Sequence, residues 1–197
     1  NLAADYLTAG GFTEIMSNSL TKESYYEGLT SYPAARCVRI LNPLSADLNV
    51  MRQTLLFNTM EAVQLNANRR NGNLRLYEFG NCYFYDEAAR DAEKPLSAYS
   101  EQYRLAIAVT GAAVPQSWNA KPQASSFFTL RAVAEKLLRR FGLDIYALKC
   151  EPLQSDLFGD GISLSAGNGR ELLQMGVVAP RIRRAFDLKQ EVYYLEM

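Results

Sequence analysis

The chain has 197 residues, and its 21 basic side chains are balanced by 21 acidic ones, so no global excess of positive charge favours strong stand-alone binding to nucleic acid. Histidine is absent, which excludes Ser-His and Cys-His nucleophile pairs and removes the commonest metal ligand. The three cysteines form no CxxC pair and no apolar run approaches the roughly 20 residues of a membrane span, so we expect neither a thiolate zinc site nor a membrane protein.

The first part of the chain combines helical and extended patterns. Apolar positions at helical spacing predict a first helix ended by Gly10-Gly11 and a second helix ended by Asn71-Gly72. Aliphatic runs predict strands at residues 12–20 and 36–41, joined by an irregular connection. The apolar positions that predict the two helices are Leu2, Ala3, Tyr6 and Leu7 for the first, and Leu55, Leu56, Met60 and Val63 for the second.

The middle of the chain is predicted to begin with a strand or one arm of a hairpin. The stretch RLYEFGNCYFYDE, residues 75–87, alternates apolar and polar residues, breaks at Gly80 and Asn81, and then resumes through three aromatic residues. Residues 86–101 are charged and contain a proline, which predicts a solvated loop. A half-buried strand then ends at Gly111.

The last third begins with the clearest amphipathic helix of the chain, from Phe128 to its end at Gly142. Short strands and one helix begun by Pro180 follow. Helices and strands are interspersed without the rhythm of a parallel sheet, so we predict an α+β fold with a mainly antiparallel sheet flanked by about four helices. No linker divides residues 1–197, which predicts a single domain, and the start at Asn1 suggests a segment of a longer polypeptide.

Several strings of the sequence match a known family. The opening NLAADYLTAGGFTEIMSNSL resembles the first signature of class II aminoacyl-tRNA synthetases. ILNPLSADLNVMRQTLL, then LYEFG at residues 76–80, closely resemble the core of the bacterial phenylalanyl-tRNA synthetase beta subunit in order and spacing. The resemblance spans nearly the whole chain, although Phe57-Asn58 replace a usual Pro-Gly.

The resemblance implies a class II synthetase-like fold that assembles with a catalytic alpha subunit in a cytoplasmic heterotetramer, which charges tRNA(Phe) with phenylalanine. ATP and magnesium would bind in the alpha subunit, so that this domain would hold no cofactor. In class II synthetases the first signature forms a subunit interface. The corresponding predicted interface residues here are Leu2, Tyr6, Leu7 and Phe12.

The residues that would bind ATP in a catalytic relative are not matched. Such a relative carries Phe-Arg-x-Glu, whose arginine clamps the α-phosphate of ATP, whereas the matching positions here are Phe84-Tyr85-Asp86-Glu87. One neutral phenol cannot replace a two-pronged guanidinium. The Gly-x-Gly-x-x-Arg signature is also missing, since Arg170 stands at the start of a predicted strand. We therefore predict no catalytic, cofactor-binding or metal-binding residue.

The remaining matched residues are predicted to be structural. Arg52 could clamp a substrate, but we favour an ion pair, because a buried Glu78 would need a partner such as Arg52 or Arg75. Gly80 is the last residue of the LYEFG string, which also contains Glu78. In the Asn-Pro-Leu-Ser turn, side-chain capping is favoured over ligand contact. The residues of that turn are Asn42, Pro43 and Ser45.

Six further positions have open alternatives. Asn66 and Arg69, on the polar side of the second helix, are interpreted as solvated or as a tether to the Asn42 loop rather than as substrate ligands. Trp118 would either anchor an interface or cover the core beneath its loop. The basic run at Arg181, Arg183 and Arg184 could touch RNA, although a solvated helix face is favoured.

Two alternative functions stay open at this point. The chain could be a self-standing class II-like ligase that forms adenylates with altered cations such as Arg52 and Arg170. It could also be a paralogue that senses an amino acid without chemistry. The first alternative requires adenylate formation by the chain alone, and the second requires binding of phenylalanine.

Overall fold

The structure, a computed structural model, describes residues 2–43 and 45–197, apart from the side chain of Ala46. Its α-helices are α1 (Leu2–Ala9), α2 (Leu56–Asn68), α3 (Phe127–Arg140) and α4 (Pro180–Ala185). Its strands are β1 (Thr13–Glu14), β2 (Leu20–Thr21), β3 (Val50–Met51), β4 (Leu74–Tyr85), β5 (Tyr99–Thr110), β6 (Ala112–Val114), β7 (Gln123–Ala124), β8 (Lys149–Pro152), β9 (Phe158–Ser165), β10 (Glu171–Val178) and β11 (Val192–Glu196).

A seven-stranded sheet runs through the described part of the chain in the order β1-β4-β5-β11-β10-β9-β8. Only β1 is parallel to its neighbour: Thr13 pairs with Leu76 of β4. The other pairs in this sheet are antiparallel, and β4 and β5 form a long hairpin in register from Leu74 with Thr110 to Tyr85 with Tyr99. The predicted α+β class with a mainly antiparallel sheet is therefore confirmed.

Both faces of the sheet are covered, because successive side chains of a strand point to opposite sides. On one face, here called the α2 face, α2 and the connection before it pack on residues such as Leu76, Cys82 and Phe84. On the other, the α3 face, α1 and α3 pack on residues such as Tyr77 and Ile107. No helix in the described ranges has the length and apolar character needed to cross a membrane.

The N-terminus of α3 is fixed by a capping box. The Ser126 hydroxyl accepts a hydrogen bond from the Thr129 amide, and the Ser126 amide donates to the Thr129 hydroxyl. This satisfies two of the amides that a helix start leaves without partners. The helix then buries Leu130, Leu137 and Leu138 against the α3 face.

Three predicted elements differ from the structure. The strand expected at residues 12–20 is reduced to β1, because the chain leaves the sheet so that Ser17 can bond Glu78. The strand expected at 36–41 is a single bridge between Arg39 and Val50. The expected break at Gly80 and Asn81 does not occur, since β4 is continuous. The contacts that decide these outcomes join residues far apart in the chain: Ser17 with Glu78 in the first case, and the pairing of β4 with β5 in the third.

We predict that Ser126→Ala lowers the free energy of unfolding by about 1 kcal/mol, because it removes the helix cap. Ser117→Ala, in an exposed loop, is the matched control and should change the free energy of unfolding by less than about 0.5 kcal/mol. Denaturant titration of both variants measures the difference. Equal stabilities would contradict a stabilising role for the cap.

Candidate functional site

Two carboxylates on the α2 face organise the segment that enters α2. Glu78 of β4 is 1% exposed, and Glu196 of β11 is 8% exposed. A buried carboxylate is costly unless it is paired and hydrogen-bonded. Both side chains meet that condition, and each binds residues from the segment 52–55.

Glu78 forms a buried ion pair with Arg52. Arg52 Nη1 donates to Glu78 Oε1 at 2.7 Å, and its Nε donates to the Asn81 carbonyl at 3.0 Å. The amide and hydroxyl of Ser17 donate to the same carboxylate, at 3.1 and 2.9 Å. Of the two partners that the sequence indicated for Glu78, the structure selects Arg52. Arg75 instead donates to the Gly10 and Ala113 carbonyls.

Gly80 makes room for this ion pair. A Cβ atom at residue 80 would lie 2.0 Å from Arg52 Nη2 and 3.0 Å from the Leu55 side chain. Such a distance is far shorter than any van der Waals contact. Glycine is therefore required on β4 because the Arg52 guanidinium lies directly against the strand backbone.

Glu196 accepts from four donors. The Thr54 hydroxyl donates to Oε2 at 2.6 Å and the Leu55 amide donates to the same oxygen at 3.1 Å. The Tyr194 hydroxyl also donates to Oε2, and Arg104 pairs with Oε1. This carboxylate therefore ties the start of α2 to β11 and β5.

The hydroxyls and the thiol around Glu196 stay protonated at neutral pH. Burial, and next the negative charge of Glu196, raise the pKa of Tyr194 well above its usual value. The same two causes raise the pKa of Tyr32, whose hydroxyl accepts from Arg104 at 2.9 Å, and of the Cys82 thiol. These groups act as hydrogen-bond donors or packing atoms, and Cys82 is not activated as a nucleophile.

An aromatic ring lies beside two guanidinium groups on this face. The Phe84 ring centroid is 5.3 Å from the guanidinium carbon of Arg104 and 5.6 Å from that of Arg36. Tyr85, the position that the sequence comparison set against an ATP-binding arginine, points to the opposite face because strand side chains alternate. Its hydroxyl bonds Glu87. The aromatic side chain among the cations is thus Phe84.

Apolar side chains fill the rest of the α2 face. Leu55, Leu56 and Met60 have no exposed surface, and Phe57 is 3% exposed. Phe57 stacks on Tyr25 with ring centroids 5.0 Å apart and meets Tyr26 edge-on at 5.2 Å. The first turn of α2 therefore fills the space above this part of the sheet with packed apolar side chains.

The other predicted motif residues lie away from this cluster. Ser45 caps the short 3-10 helix at residues 46–48 by accepting from the Asp47 amide, whereas Asn42 and Pro43 are exposed. Asn66 bonds within α2, to the Ala62 carbonyl, and Arg69 is exposed at the helix end. Leu44 of the same turn lies outside the described residues.

Trp118 and Arg170 also lie outside this cluster. Trp118 is 97% exposed, so the alternative that it covers the core beneath its loop is wrong. Arg170 directly precedes β10, as the sequence indicated, and does not begin a helix. Among the described residues, no three cysteine, aspartate or glutamate side chains come together as a metal site.

The four predicted interface residues divide into two pairs. Leu7 and Phe12 belong to the core on the α3 face, with 0% and 6% exposure, so this chain itself covers them. Leu2 is 51% exposed, and the Tyr6 ring lies 4.7 Å from the Arg140 guanidinium carbon at the surface. Only Leu2 and Tyr6 are accessible, and their contact with a partner stays a prediction.

Sequence analysis missed Glu196, Arg104 and Thr54. A signal existed for Glu196, since it is an acidic residue in an apolar strand, the same pattern that singled out Glu78. Arg104 directly precedes the buried apolar half of β5, and no pattern in the sequence distinguishes it as the partner of a buried acid. Its partner lies 92 residues away in the chain, so only the fold reveals the pair.

The full chain, residues 1–197, matches the family model described as phenylalanyl tRNA synthetase beta chain CLM domain. It is 45% identical over 197 residues to the phenylalanine-tRNA ligase beta subunit of Bacteroides thetaiotaomicron, covering 100% of this chain and 24% of that protein. The corresponding subunit of Porphyromonas gingivalis is 39% identical over 196 residues, again covering 100% of this chain and 24% of that protein. The chain spans about a quarter of the length of these curated relatives.

The fold is also found in solved structures. A pyrrolysyl tRNA synthetase of Desulfitobacterium hafniense, PylSc, superposes with a TM-score of 0.71 at 15% identity, covering 100% of this chain and 63% of that one. A second structure of pyrrolysyl-tRNA synthetase from the same organism gives the same TM-score at 14% identity and the same coverage. The architecture is therefore that of class II synthetases, as the sequence predicted.

We predict that Gly80→Ala lowers the free energy of unfolding by about 3 kcal/mol, because the new methyl group would displace Arg52 and leave Glu78 buried without its charge partner. Gly167→Ala is the matched control, since a Cβ atom there meets nothing within 4 Å. Thermal or denaturant unfolding of the two variants tests this expectation. A Gly80→Ala variant as stable as the control would show that Arg52 does not depend on this space.

Proposed function

The chain belongs to the phenylalanyl tRNA synthetase beta chain CLM domain family, and we propose that it serves this beta chain as a non-catalytic module for assembly with the catalytic alpha subunit. It is a class II synthetase-like module of that chain. Under the proposal, the whole cytoplasmic assembly attaches phenylalanine to tRNA(Phe). ATP and magnesium bind in the alpha subunit.

The observation that carries the proposal is the use of Arg52 and Arg104 on the α2 face as structural partners of buried carboxylates. Arg52 and Arg104 are each paired with a buried carboxylate, so neither guanidinium is available to hold a triphosphate. A ligand phosphate would have to displace Glu78 or Glu196 from its donors. The negative charge of the displaced carboxylate would then repel that phosphate.

The alternative of a self-standing ligase depends on Arg52 and Arg170. Arg52 is 3% exposed and fully engaged with Glu78 and Asn81. Arg170 lies on another strand end, in the lining of an open cavity of about 530 Å³ that includes Arg104 but not Arg52. The two cations thus do not line one cavity, which favours the assembly proposal. The amino-acid sensor has no specific observation in its favour.

The accessible part of α1 is the surface that we assign to the alpha subunit. Leu2 is an exposed apolar side chain, and Tyr6 presents a ring and a hydroxyl beside Arg140. The aromatic contacts continue from the helix along β4, where Tyr77 bonds the Thr8 hydroxyl at 3.0 Å and contacts Phe79 edge-on at 5.9 Å. Such amphipathic aromatic side chains are enriched at protein interfaces.

We predict that the full-length beta chain co-purifies with a phenylalanyl-tRNA synthetase alpha chain, and that ATP-pyrophosphate exchange with phenylalanine requires the alpha chain. The physical reason is that Arg52 and Arg104 of this domain are each paired with a buried carboxylate. Exchange activity of the beta chain alone would overturn the proposal. Heat released on adding phenylalanine to the beta chain alone would favour the sensor.

We further predict that Leu2→Glu weakens alpha-chain binding by about tenfold or more, because it places a charge on the apolar part of the proposed interface. The free energy of unfolding should change by less than about 0.5 kcal/mol, since Leu2 is half exposed. Leu96→Glu, at an exposed leucine in the loop before β5, is the control. If both variants bind alpha with the same affinity, α1 is not the interface.

A further inference from the structure

Six basic residues lie at the end of the domain where α2 and α4 finish, and we call this region the α2–α4 basic surface. All except the half-buried Arg183 are exposed. The six residues are Arg69, Arg70, Arg181, Arg183, Arg184 and Lys189. Sequence analysis considered RNA contact only for Arg181, Arg183 and Arg184.

The fold brings the two basic segments together through Gln190. Its side-chain amide donates to the Gly72 carbonyl at 3.0 Å, and its backbone carbonyl accepts from Arg183 Nη1 at 3.3 Å. Phe186, which follows α4, stacks on Phe57 in the first turn of α2 with ring centroids 6.5 Å apart, so α4 packs beside the start of α2 and the Gln190 contacts join the segments that follow the two helices. The ends of α2 and α4 thus form one continuous surface, although more than 100 residues separate them in the chain.

The positive charge of this surface is not neutralised within the part of the chain that the structure describes. None of the six cations takes part in the ion pairs found there, whereas cations such as Lys22, Arg39 and Lys149 do. Basic residues stabilise helix ends, but the two helix C-termini together carry only about one negative charge. After this charge, Asp187 and Glu27 are counted, about three positive charges remain; Glu27 is near because the adjacent Gly28 lies beside the Arg181 guanidinium.

The surface also has a concave part. A cavity of about 410 Å³ is lined by three of the cations together with one acidic and two apolar residues. The guanidinium and ammonium groups in this lining are the donors that bind phosphate oxygens in proteins. The lining residues are Pro180, Arg183, Arg184, Asp187, Leu188 and Lys189.

We propose that the α2–α4 basic surface binds the phosphate backbone of RNA. The chain as a whole has no excess charge, so any attraction for a polyanion comes from this surface. Several cations close together match the closely spaced charges of a phosphate backbone. The inference rests on the proposed function, because tRNA is the polyanion that the assembly handles. Contacts to phosphates alone would position the RNA without reading its sequence.

The test uses the full-length beta chain in complex with its alpha chain and the triple variant Arg69→Gln, Arg184→Gln, Lys189→Gln. The control is Lys94→Gln, Lys121→Gln, Lys136→Gln, which removes the same charge from exposed positions elsewhere. Affinity for tRNA is measured between 50 and 200 mM salt. The first triple should reduce the slope of log affinity against log salt by about 2 to 3 and weaken binding at least about tenfold, since each lost phosphate contact removes about 0.7 to 0.9 from the slope.

The control triple should leave the slope within about 0.5 of the unmodified complex, and ATP-pyrophosphate exchange should be the same in all three proteins. An unchanged slope in the first triple, or an equal loss in both triples, would overturn the inference. Loss of alpha-chain binding in the first triple would overturn it in favour of an acidic protein surface as the ligand. Because binding is measured without aminoacylation, a failure of the surface is distinguishable from a failure of the assembly proposal.

Discussion

The ion pair between Arg52 and Glu78 is the contact on which the α2 side of the domain depends. At 2.7 Å and an effective dielectric constant of about 20, the attraction is worth about 6 kcal/mol. Removing both ions from water costs several kcal/mol each, so the pair adds little net stability. Its effect is on specificity. If the Arg52 guanidinium lay elsewhere, Glu78 would be a buried charge without its ion-pair partner.

This constraint explains the neighbouring structure. Arg52 needs Gly80 on β4, because a larger residue would occupy the place of its guanidinium. With Arg52 fixed, Thr54 and Leu55 reach Glu196, and the first turn of α2 is held against the sheet. The apolar residues that follow then close the α2 face. A synthetase-like sheet is thereby covered by its own chain, with Arg52 and Arg104 paired with carboxylates.

The elements that sequence analysis predicted well are those with a local signal. The periodicity of α3 with its glycine ending and the proline that begins α4 both depend on neighbouring residues. The prediction of a strand over residues 12–20 was wrong for most of its length. There the amide and hydroxyl of Ser17 bond the Glu78 side chain, 61 residues away in the chain. The partner of Glu78 was narrowed to two arginines, whereas Arg104 and Glu196 were not found.

The sequence by itself determined the family, the fold class and the presence of a buried acid that needs a cation, because these follow from ordered strings of residues and from the cost of an unpaired charge. Only the tertiary structure decided which arginine pairs with which carboxylate, that Phe84 rather than Tyr85 lies among the cations, and that two basic segments form one surface. Those outcomes depend on sheet order and strand register. Both are set by packing between residues far apart in the chain, which no local pattern records.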